Sequence, residues 1–110
     1  MAGYPNNQNN PAGAIPVYTA AALFLNVTAV TAGTQVKTGS GVLHSVIINT
    51  AGSGAATITL YDGTNASGTK IATLNTSVSP FVATYGAAFT TGLFIVVTGT
   101  TSGDITITYS

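Results

Sequence analysis

The sequence predicts an all-β chain: a β-sandwich, jelly-roll-like, of about eight short antiparallel strands, preceded by an extended N-terminal arm. Three observations predict it. From residue 23 to the end threonine, valine and isoleucine dominate, residue types that fit a pleated, half-buried surface. Glycine, serine and asparagine interrupt them at intervals of roughly ten residues, the spacing of turns in a sandwich. No stretch carries the 3.6-residue apolar period of an amphipathic helix. The helix-friendly run Ala20-Ala21-Ala22-Leu23-Phe24 is followed at once by threonine and β-branched residues.

Residues 1–22 read as the arm and 23–110 as the sandwich domain. The first 18 residues hold three of the four prolines, Pro5, Pro11 and Pro16, and the run Asn6-Asn7-Gln8-Asn9-Asn10. Such a segment cannot hold a helix and has too little apolar area to fold alone. Within it Ile15, Val17 and Tyr18 are apolar, and Pro16 biases Ile15 toward extended backbone, which suits a segment laid along a partner or along its own domain.

The expected strands are 23–30, 34–37, 42–49, 56–61, 69–75, 81–85, 92–98 and 104–109. Alternation is clearest in the last, where Ile105, Ile107 and Tyr109 oppose Thr106 and Thr108, and in 57–61, where Ile58 and Leu60 oppose Thr57, Thr59 and Tyr61. Each has one wet face. Leu93-Phe94-Ile95-Val96-Val97 is apolar on both faces, which predicts a central strand covered by the opposite sheet on one side and by a subunit or the arm on the other. Turns are expected at Gly39-Ser40-Gly41, at Ala51-Gly52-Ser53-Gly54 and at Asp62-Gly63, with 64–68 returning to Thr69.

Charge sets what the chain can bind and catalyse. Lys37, Lys70, Asp62 and Asp104 are the only charged side chains, 4% of the residues with net charge zero, against about 25% in an ordinary domain. A chain without a basic footprint is not expected to bind nucleic acid. No window approaches the roughly 18 consecutive apolar residues of a membrane-crossing helix, and Met1 to Pro5 do not open a secretory signal. A surface this poor in charge favours association over a monodisperse state. With no cysteine, stability rests on a packed core or on assembly.

The candidate chemistry is thin, and no enzyme activity, metal or cofactor is expected. Alternation sets His44 on the face of Val42, Val46 and Ile48, buried with a hydrogen bond to a neighbour. Beyond it only Asp62 and Asp104 offer charged metal ligands, fewer than a site needs, and both stand where Asp favours turn geometry. No Gly-x-Ser-x-Gly motif marks a nucleophile, and the pairs Gly39/Gly41 and Gly52/Gly54 lack the following helix of a phosphate loop. Sequons begin at Asn26, Asn65 and Asn75, about as many as this composition yields by chance. Lys37 and Lys70 fit solvated positions or edge-strand guards. Tyr61, Tyr85 and Tyr109 stand near strand ends, where an exposed ring would serve a sugar, though core or interface packing is the commoner fate.

Four segments carry a resemblance: Asn10-Pro11-Ala12-Gly13-Ala14-Ile15-Pro16-Val17-Tyr18; Gly41-Val42-Leu43-His44-Ser45-Val46-Ile47-Ile48-Asn49; Leu60-Tyr61-Asp62-Gly63-Thr64 with Gly68-Thr69-Lys70-Ile71-Ala72; and Gly86-Ala87-Ala88-Phe89-Thr90-Thr91-Gly92-Leu93. Together they span most of the chain and resemble small virion proteins of tailed bacteriophages, among which the nearest class is the capsid decoration, or cement, protein. The resemblance implies a β-sandwich homotrimer on the outer surface of the capsid, with arms reaching the major capsid protein. It assigns capsid contact to Tyr4, Pro5, Asn6, Asn7, Pro11, Ile15, Pro16, Val17 and Tyr18. Related sequences also occur in head-fibre and tail-associated proteins, and the alternative expectation is a fibre or spike domain that meets a host receptor or glycan through the loops Asp62–Gly68 and Thr98–Gly103.

Overall fold

The computed structural model describes residues 22–78 and 80–110; the arm positions Tyr4, Pro5, Asn6, Asn7, Pro11, Ile15, Pro16, Val17 and Tyr18 lie outside the described residues. Eight strands form: β1 (Leu23–Val27), β2 (Thr31–Thr38), β3 (Gly41–Thr50), β4 (Thr57–Asp62), β5 (Thr69–Asn75), β6 (Phe81–Phe89), β7 (Gly92–Thr98) and β8 (Asp104–Tyr109). The pairing is nested. β4 pairs β5, β3 pairs β6, β2 pairs β7 and β1 pairs β8, all antiparallel, as in one long hairpin rolled onto itself. Pairing of β8 with β3 and of β7 with β4 closes the roll into a first sheet β1-β8-β3-β6 and a second sheet β2-β7-β4-β5. This strand order is the jelly roll.

The core lies between the sheets. Leu43, Val46 and Ile48 of β3, Ile105 and Ile107 of β8, Val27 and Phe89 meet Ile58 and Leu60 of β4 and Leu93, Ile95 and Val97 of β7. Each fully buried Leu, Ile or Val side chain is worth about 1.5–3 kcal/mol of transfer free energy. The expected alternation holds in β4 and β8, whose threonines turn outward and pair as hydroxyls: Thr57 with Thr98 at 2.7 Å, Thr59 with Thr73 at 3.1 Å, and Ser45 with Thr108 at 2.6 Å. β7 is central to its sheet, as its two apolar faces require. On its outer face Phe94 and Val96 are half-buried, and the backbone of β2 supplies cover: a methyl group at Gly33 would run into the Phe94 ring.

Several details differ from the sequence expectation, among them β2, which spans Thr31–Thr38 rather than 34–37. The segment 23–30 is not one strand; β1 ends at Val27, and Thr28-Ala29-Val30 carries the chain across to the second sheet. β6 does not stop at Tyr85. Gly86, at φ +65°, absorbs an extra residue opposite β3, since Leu43 and Ser45 pair with Ala87 and Thr84, and the strand runs on to Phe89. His44 does not share the face of Val46 and Ile48. It is the extra residue of a β-bulge, because Leu43 and Ser45 pair with the consecutive Tyr109 and Thr108 of β8. One inserted residue inverts the alternation, so Leu43 is buried while His44 is half-buried at the margin.

Candidate functional site

Turns gather at the two ends of the roll and build different things. At one end lie the β2–β3 turn (residues 39–40), the β4–β5 loop (residues 63–68) and the β6–β7 turn (residues 90–91), tied by Gly39 N–H to Thr91 C=O at 2.9 Å and Gly63 N–H to Gly92 C=O at 2.9 Å. Asp62 is the knot. Its carboxylate accepts from the Thr90 N–H at 2.9 Å, the Thr91 N–H at 2.8 Å and the Thr90 hydroxyl at 3.2 Å, with a longer bond from the Gly92 N–H at 3.4 Å. The bonds from Thr90 and Thr91 stabilise the charged form and hold its pKa below the ordinary 3.8. Read from sequence, Asp62 is a turn residue; the structure makes it the staple of a second turn. The partners stand 28 and 29 residues away, and nothing local signals them.

At the other end, the segment between β3 and β4 is laced to the chain beyond β5 and to the β7–β8 loop. Gly52 N–H donates to Thr76 C=O at 2.8 Å, Thr76 N–H to Ala56 C=O at 2.9 Å, and Thr100 N–H to Ser53 C=O at 2.9 Å. Among the described residues the buried Thr76 Oγ1 has no hydrogen-bond partner. The loops Asp62–Gly68 and Thr98–Gly103 therefore belong to opposite ends of the roll, and a single contact surface built from both is corrected by the topology.

The candidate side chains disperse. His44 Nε2 lies 3.0 Å from Ser110 Oγ, while Asp104 Oδ1 accepts from Asn26 at 2.6 Å and Asn49 at 3.3 Å. Among the described residues no three His, Cys, Asp or Glu side chains converge, and no pocket opens. Asn65 and Asn75 accept from the Ser67 and Ser77 N–H groups, each at 2.8 Å, as turn-closing side chains. Tyr85 and Tyr109 pack against the core, while Tyr61 pairs with Phe94 across the second sheet. The three rings do not form one platform. Among the described residues no helix is long and apolar enough to cross a membrane.

What the structure brings together is the outer face of the first sheet. Register aligns two rows across its four strands: Phe24, Thr108, Ser45 and Thr84 in one, Asn26, Thr106, Ile47 and Val82 in the next. None is charged. The face is apolar at its margins, with Phe24 70% and Val82 60% exposed on the two edge strands; Leu23 and Phe81, also exposed on those strands, alternate to the core side. Hydroxyls fill its centre, and at one end the amides of Asn26 and Asn49 hold the Asp104 carboxylate. Phe24 at one margin and Ile47 with Val82 toward the other thus share a face whose one carboxylate is held by its neighbours.

No family model, curated protein or solved structure matches the chain.

Proposed function

We propose that the chain is a structural virion protein of a tailed bacteriophage: a capsid decoration, or cement, protein on the outer surface of the head. It binds the major capsid protein, links neighbouring capsid subunits and acts as a homo-oligomer, a trimer by the resemblance. The observation that carries this reading is the outer face of the first sheet, which leaves Phe24 and Val82 bare at its margins and whose carboxylate, Asp104, is held at one end by Asn26 and Asn49, on a fold in which no three metal-ligating side chains converge among the described residues. Such a domain suits association. A segment of 22 residues before β1 that carries Ile15, Val17 and Tyr18 supplies a second contact. Many copies on a lattice multiply individually weak contacts, and binding the assembled state alone stabilises that state by mass action.

The experiment is copy number per particle, by quantitative mass spectrometry of purified virions from the source with the major shell protein as internal standard. A simple stoichiometric ratio to the shell protein is expected. A few copies per particle would instead support a head-fibre or spike domain, and no copies would remove the virion reading.

A further inference from the structure

A jelly roll has four open strand edges, and this one treats them in two ways. Both edges of the second sheet are guarded. β2 carries Lys37, whose Nζ donates to Ser40 C=O at 2.8 Å, and its register to β7 shifts twice; β5 carries the exposed Lys70 and a shift opposite β4. Lysine on an edge discourages strand addition, and it is the lysines that set these two edges apart, since β6 of the first sheet also has a register shift, at Gly86. The edges of the first sheet, β1 and β6, have neither lysine nor any other charge. β6 is nine residues long, Phe-Val-Ala-Thr-Tyr-Gly-Ala-Ala-Phe, without proline. Exposed large apolar side chains stand on both of these edges, Leu23 and Phe24 on β1 and Phe81 and Val82 on β6, and none stands on a strand of the second sheet.

We propose that the occupant of these edges is a second copy of this chain, joined head to tail: β6 of one copy adds to β1 of the next. Three antiparallel steps separate β1 from β6 across the first sheet, so the two strands run in opposite senses. A neighbour in the same orientation presents β1 antiparallel to β6, the better-paired arrangement. Phe24 and Val82 both face outward, at opposite edges and in adjacent rows. A head-to-tail joint makes them neighbours, side by side or on the diagonal, within reach of a long side chain. One repeated contact thus covers both unguarded edges and the two most exposed outward apolar groups of the sheet. A two-fold joint of β6 with β6 leaves β1 and Phe24 bare. A head-to-tail contact cannot be satisfied by two copies; it closes as a ring of three or more or grows as a filament. The inference makes no use of a capsid, and its test is run on the purified full-length chain with no shell present.

The test is sedimentation velocity on wild type and on F24K, V82K and I15K/V17K, with circular dichroism confirming the fold of each. Both edge positions are exposed, so the fold is expected to survive. Wild type is expected as a closed oligomer of at least three copies. F24K and V82K are each expected to lose it and sediment as monomers, and I15K/V17K to keep it. Mixing is the decisive step. F24K retains an intact β6 and V82K an intact β1, so the two monomeric variants combine into a 1:1 dimer that cannot grow. A monomeric wild type, an F24K protein that stays oligomeric, or a mixture that stays monomeric overturns the head-to-tail joint. Loss of the oligomer in I15K/V17K overturns the second copy's β1 as occupant in favour of the N-terminal segment. Should either lysine variant misfold, hydrogen exchange on wild type decides: slow exchange confined to the amides of β1 and β6, against fast exchange at β2 and β5, supports the joint, and equal exchange at all four edges refutes it.

Discussion

The two sheets of this roll share one core and differ in almost everything outside it. Five of the buried side chains come from the second sheet and seven from the first, interleaved in a single cluster, so inward the sheets are equivalent. Outward, the second sheet carries paired threonines, a half-buried Phe94 under the β2 backbone, and both lysines of the chain on its two edges. The first also pairs hydroxyls, Ser45 with Thr108, but carries no lysine and leaves Phe24 and Val82 bare. Burial of apolar surface drives folding and association alike, and the difference separates the two uses. One sheet is finished by its own chain; the other, on the joint proposed above, is finished by a second copy.

Core substitutions probe the shared half of the comparison and have the largest effect. Ile95→Ala in the second sheet and Ile107→Ala in the first each remove a fully buried branched side chain, and each is expected to cost about 2–5 kcal/mol in urea denaturation. A several-fold disparity between them would break the equivalence of the two inner faces. Gly33→Ala tests whether the second sheet finishes itself. The added methyl meets the tip of the half-buried Phe94 ring, which must swing aside, and this is expected to cost about 0.5–1.5 kcal/mol. An unchanged midpoint would mean that β2 does not lie on Phe94.

Thr76→Val works in the opposite direction. It replaces a buried hydroxyl with no partner among the described residues by a methyl of similar shape, and is expected to raise stability by about 1 kcal/mol. A loss of similar size would show that the hydroxyl is bonded in solution.

The smallest effect belongs to Asp62 and depends on pH. Its folded pKa lies below the ordinary 3.8 because the Thr90 and Thr91 N–H groups favour the carboxylate. Its contribution is therefore complete above the unfolded pKa, shrinks as pH falls through the window between the two values, and is gone below the folded one. Thermal melts of wild type and Asp62→Asn are expected to differ at neutral pH and converge in acid. A gap that is constant with pH would assign the effect to shape rather than charge.

Much of this architecture was legible in the residues. The alternation of Ile105-Thr106-Ile107-Thr108 and of Thr57-Ile58-Thr59-Leu60 reads directly as strands with one wet face, and the doubly apolar Leu93–Val97 reads as a central strand. The bulge at His44 left no local mark. Val42, His44 and Val46 alternate as acceptably as Leu43, Ser45 and Ile47, and only pairing with Tyr109 and Thr108 shows which residue is extra. The expected strand 81–85 stops short of Gly86, whereas the glycine, at φ +65°, lets the strand continue to Phe89. The candidate site was less legible still. Phe24, Ile47 and Val82 stand on strands far apart in sequence, and register across three strand pairs puts them on one face. Lys37 and Lys70 read as guards one at a time; that both protect the same sheet is a property of topology.

The most direct measurement of the central claim is the exchange rate of backbone amides at the four strand edges of the full-length protein in solution. If the first sheet is finished by contact, β1 and β6 exchange slowly, as interior strands do, while β2 and β5 exchange as open edges. Equal exchange at all four would contradict the account, because the first sheet would then be as uncovered as its sequence is unguarded.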